Sequence, residues 1–83
     1  MATFYLVNSV RLGATVLPVG KLIDDAEYDV AALRRAGAQL VDSGNAAAAS
    51  AAARIGYLHL RQGISDADAE VIMLATLAAA SAG

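Results

Sequence analysis

Cysteine and tryptophan are absent from the 83 residues, and proline and histidine occur once each, at Pro18 and His59. Without cysteine there is no disulfide and no thiolate metal site. With one histidine there is no His-rich metal site either. Charge is also scarce. Only 17% of the chain is charged, where ~25% is usual. The net charge is −2, with six basic residues in all, so no basic stripe is available to a nucleic-acid backbone. The longest uncharged run, Val71 to Gly83, is shorter than the ~20 apolar residues that span a bilayer. The N-terminal Met-Ala-Thr-Phe-Tyr lacks the basic region of a signal peptide. These features predict a soluble protein made in a cytoplasm, with no nucleic-acid or membrane partner.

What is abundant is apolar. Hydrophobic residues make up 58% of the chain, and many are alanines, which add little core volume. A chain of this length buries only about 60% of its unfolded surface. A small apolar domain with no disulfide or metal therefore looks to partners for support. The composition predicts a homo-oligomer or a component docked on a larger assembly.

The chain reads as one domain, residues 1–83, in two parts. Phe4 to Leu12 is rich in β-branched and aromatic residues and predicts a strand. Gly13-Ala14 gives a turn, Thr15 to Leu17 a second strand, Pro18 a strand end, and Gly20 a bend before Lys21 to Ile23 resumes an extended course. Asp24, with Glu27 three residues on, matches a capping box and predicts a helix through Arg35. Gly37 suits the left-handed position after it, and Ala38 to Val41 predicts a further strand. "DSGN", Asp42 to Asn45, is the break between the parts.

The second part predicts a helical hairpin over residues 45–83. Asn45 is a cap, and seven of the eight residues Ala46–Ala53 are alanine, the strongest helix former. Gly56 is placed to admit the close approach of another backbone. Gly63 ends this helix, and Ser65 caps the next. Asp66, Asp68 and Glu70 complement the positive end of its dipole. Ile72, Met73, Leu74 and Leu77 then wrap most of its surface, so cover must come from the first part or from another subunit. The fold class is α+β: a small β-β-α-β unit, residues 1–42, followed by the hairpin.

Candidate chemistry is sparse. "GATVLPVGKL", Gly13 to Leu22, has the look of a phosphate loop, but that motif puts its first glycine where Thr15 stands and its magnesium-binding hydroxyl where Leu22 stands. Pro18 also removes an amide donor from the loop. Asp24-Asp25 lacks the third group that acid–base or cation chemistry needs. His59 has no nucleophile motif beside it. Tyr57 to Ile72 has the outline of a helix-turn-helix, but its second helix opens on Asp66, Asp68 and Glu70, which repel phosphate. No catalytic, cofactor-binding or metal-binding residue is assigned, and the chain is not expected to be an enzyme. Arg54 and Arg61 are seven residues apart and share a helix face, where they meet either solvent or carboxylates of a neighbouring subunit.

One stretch, Val7 to Val41, resembles small structural proteins of tailed-bacteriophage virions, encoded among the head and tail genes. The residues that carry the resemblance are Gly13, Pro18, Gly20, Ile23-Asp24-Asp25, Leu33 and Gly37-Ala38. Pro18-Val19-Gly20 departs from it, where an adjacent Pro-Gly is expected. The resemblance implies a virion setting and carries over no catalytic residue; within that setting the expected role is a capsid cement or decoration protein bound to the major capsid protein or another virion protein. A head–tail connector or tail-assembly protein is the first alternative. A small dimeric regulator of a partner enzyme is the second. The expected interface is Phe4, Leu6, Ile72, Met73, Leu74, Leu77, Arg54 and Arg61, with the N-terminal strand offering an open edge for augmentation.

Overall fold

The structure is a computed structural model that describes residues 2–82. It is α+β, with elements in the order β1 (Thr3–Leu6), β2 (Val10–Leu12), β3 (Thr15–Leu17), β4 (Leu22–Asp24), α1 (Val30–Arg35), β5 (Leu40–Asp42), α2 (Ala46–Gln62) and α3 (Asp66–Ala82). One antiparallel sheet has the order β4-β1-β5, and β2 and β3 form a separate antiparallel ribbon. Gly13, at φ 59, takes the first central position of the two-residue turn between Leu12 and Thr15, the place a type II′ turn reserves for glycine.

β1 is the central strand, so the open N-terminal edge expected from the sequence does not exist. β4 and β5 occupy both of its sides. Each outer strand ends in an aspartate that turns the chain away. Asp24 Oδ1 accepts from the Ala26 amide at 2.9 Å, and Asp42 Oδ1 from the Gly44 amide at 2.7 Å. These short edges offer little backbone for pairing.

The single strand expected over Phe4 to Leu12 is broken at Asn8-Ser9. Asn8 leaves the ladder and bridges to a distant segment: its Nδ2 donates to the Gly37 carbonyl and its Oδ1 accepts from the Gln39 amide, both at 2.9 Å. That bridge lets the chain turn out of the sheet and begin the ribbon. The helix expected from Asp24 also starts later. The Asp24 carbonyl accepts from the Glu27 and Tyr28 amides, which makes a turn. The true N-cap of α1 is Asp29, whose side chain accepts from the Ala32 amide. Gly37, at φ 100, lies just past that helix as expected. The last strand is Leu40–Asp42 and not Ala38–Val41.

The helical hairpin forms as the sequence predicts. Asn45 caps α2 through the Ala48 amide, and Gly63, at φ 60, ends it in the left-handed conformation. Ser65 Oγ accepts from the Asp68 amide at the start of α3.

Two apolar clusters flank the sheet. On one face Leu6, Ile23 and Leu33 pack with the ribbon residues Val10 and Leu17. On the other, Val7 and Val19 pack against Ala48, Ala51 and Ile55 of α2 and against Ala69 and Met73 of α3. Phe4 and Leu6 serve the first cluster, while Tyr5 and Val7 serve the second. A strand covered on both faces has no exposed alternate positions. That is why Phe4 to Leu6 of β1, and Val7 just past it, are apolar throughout and show no period of two.

Candidate interaction surface

The expected interface residues divide by burial. Leu6 and Met73 are 0% exposed. They are core residues and are corrected as such, because each fills one of the two clusters beside the sheet. Ile72 and Leu77 are half-buried against the hairpin cluster. Phe4 is half-buried too, with the Arg34 guanidinium 5.9 Å from its ring centre. Leu74, Arg54 and Arg61 are exposed.

Of the larger apolar surface only Leu74 was among the expected residues. Leu60 is 87% exposed and Tyr57 60% on α2; Val71 is 65% exposed and Leu74 46% on α3. Tyr57 and Leu60 are three apart, as are Val71 and Leu74, so each pair shares the solvent face of its helix. The spacing was a readable signal. Its meaning was not, because the same spacing serves buried faces equally well. All four side chains lie in the half of the hairpin nearest the turn. Gly56 faces open space on this helix, since a Cβ there would have no neighbour within 4 Å. It therefore does not mediate a close backbone approach within the chain.

Charge is segregated across the same two helices. The ionisable groups of α2 are Arg54, His59 and Arg61; those of α3 are Asp66, Asp68 and Glu70. The Arg61 guanidinium lies 5.7 Å from the centre of the Tyr57 ring. One helix is basic, its neighbour acidic, and both carry exposed apolar side chains.

A half-open groove of about 380 Å³ lies between the β3–β4 loop and the hairpin. Pro18, Gly20 and Lys21 line one side, and Ile55, His59 and Leu60 another. Gly20 and Lys21, the residues that evoke a phosphate loop, lead into β4 and not into a helix N-terminus. The Lys21 amine sits 5.8 Å from the Tyr28 ring centre. The neighbouring carboxylates serve the backbone: Asp24 holds its turn, and Asp25 accepts from the Ala2 amide at 3.0 Å. Among the described residues, no group of three His, Cys, Asp or Glu is gathered to hold a metal ion, and no helix is long and apolar enough to cross a membrane.

Comparison with family models, with curated proteins and with solved structures gives no match. What this arrangement offers is contact: an apolar face with charge of opposite sign on its two halves.

Proposed function

We propose that this chain is a non-enzymatic virion structural protein, a cement or decoration protein that stabilises a capsid by bridging its subunits. The exposed apolar face of the hairpin, with Tyr57, Leu60, Val71 and Leu74, is the observation that carries the reading. Large apolar side chains held on rigid helices lose little conformational freedom on docking. Removing their area from water contributes roughly 25 cal/mol per Å². A protein bound across a subunit boundary adds that contribution to the work of separating the subunits. The phage-like pattern from Val7 to Val41 supports the virion setting. In the structure it forms the strands, turns and short helix on which the hairpin rests.

Where a neighbouring gene encodes a major capsid protein, the test uses empty shells built from it. Adding the purified protein should raise the temperature at which the shells come apart. Leu60→Glu, at a side chain that is almost fully exposed and so dispensable for folding, should remove the effect. The reading is wrong if the wild-type chain neither binds the shells nor stabilises them.

A further inference from the structure

We propose that the hairpin pairs with a second copy of this chain, α2 of each copy against α3 of the other, in a two-fold four-helix bundle. The proposal rests on the reading of the hairpin as a contact surface: a second copy covers that face in the free chain, and docking on a capsid would take that copy's place.

Charge selects the pairing. α2 carries only basic groups and α3 only acidic ones. Packing α2 on a second α2 would place Arg54 and Arg61 against their own kind. Packing α3 side by side with a second α3 in parallel would gather Asp66, Asp68 and Glu70 with their equals. Turning that pair antiparallel would separate the acids but leave Tyr57 and Leu60 in water. Only α2 against the other copy's α3 opposes unlike charges and covers both apolar pairs.

Height along the hairpin agrees. α2 and α3 are each 17 residues long, about 25 Å at the usual rise per residue. The chain reverses about Ile64, so residues equidistant from Ile64 are level. A two-fold axis along the helices preserves those levels. Arg61 then lies level with Ala67 and Asp68 of the second copy, and Tyr57 with Val71. Further from the turn, Ser50 and Ala53 lie level with Ala78 and Ala75, all exposed. Tyr57 and Val71 therefore meet near the turn, Leu60 lies level with Asp68 and Leu74 with Arg54, and small side chains meet further along. This arrangement gives the antiparallel helix neighbours of an ordinary bundle.

The test is sedimentation of the full chain and two charge reversals, each checked for folding by circular dichroism. Wild type should dimerise at micromolar concentration. Arg61→Glu and Asp68→Arg should each weaken the dimer about tenfold, since both symmetry-related contacts turn repulsive. Mixing the two variants should restore it, because the mixed dimer has an opposite-charge pair at both contacts. Contacts within one chain cannot be rescued by mixing. A wild-type chain that stays monomeric, single variants that dimerise normally, or a mixture no tighter than its parts would each overturn the proposal. Shell binding separates this from the virion reading. A monomeric chain that still stabilises capsids removes only the dimer, and a dimer with no affinity for capsids removes only the virion.

Discussion

Gly20 and Gly56 both line the groove, yet they are glycine for different reasons. Gly20 has φ 85, a conformation that side chains resist, and its missing Cβ would sit 3.5 Å from the Ala52 Cα, an ordinary contact. The constraint there is the backbone and not space. Gly56 lies inside α2 with nothing within 4 Å, so neither space nor conformation requires glycine. Gly20→Ala should therefore lower stability by about 1–2 kcal/mol through the left-handed strain. Gly56→Ala should raise it by up to ~1 kcal/mol through helix propensity. Urea denaturation of the two variants measures both. A neutral Gly20→Ala would show that the bend relaxes, and a destabilising Gly56→Ala would show that the position has a contact in an assembly.

At the scale of elements, the sequence was most legible where local chemistry decides. Asn45, Gly63 and Ser65 bound the two long helices by capping, and each cap is visible within a few residues of the helix end. Local chemistry was also the source of error at Asp24. An aspartate that accepts from an amide two residues on holds a turn or caps a helix, and only a helix that continues after it makes it a cap. α1 continues after Asp29 and no helix continues after Asp24, and the residue types alone do not distinguish them. The break at Asn8 was not legible at all, because its partners Gly37 and Gln39 are distant in the chain. The position of β1 at the sheet centre was hidden for the same reason. Asp29→Ala should cost about 1 kcal/mol by uncapping α1. Glu27→Ala, which removes the acceptor that a capping box would use, should stay within about 0.5 kcal/mol of wild type. Thermal melts of the pair decide between the two helix starts; a larger loss from Glu27→Ala would restore the earlier one.

Across the whole molecule, the sheet is a wall shared by two small cores. Leu6 at the end of β1 serves one and Val7, the next residue, serves the other. Neither core is bounded without that wall. If the hairpin leaves, Tyr5, Val7, Val19 and Val41 lose their cover, and the sheet keeps only the helix and ribbon on its far side. A domain this small has no stability to spare for such a loss. Damage on one side should therefore unfold both. Met73→Ala, at a fully buried side chain on the hairpin side, should cost about 2–5 kcal/mol. Leu33→Ala, equally buried on the other side, should cost a similar amount. The sharper expectation concerns cooperativity. Helix loss followed by circular dichroism and tyrosine fluorescence, which reports on Tyr5 and Tyr28 of the β unit as well as Tyr57, should trace one transition in wild type and in both variants. Separate transitions in the Met73→Ala chain would mean that the β unit stands without its hairpin. The hairpin would then be an appendage that docks and undocks, and its exposed apolar face would have to be weighed against an equally apolar inner one.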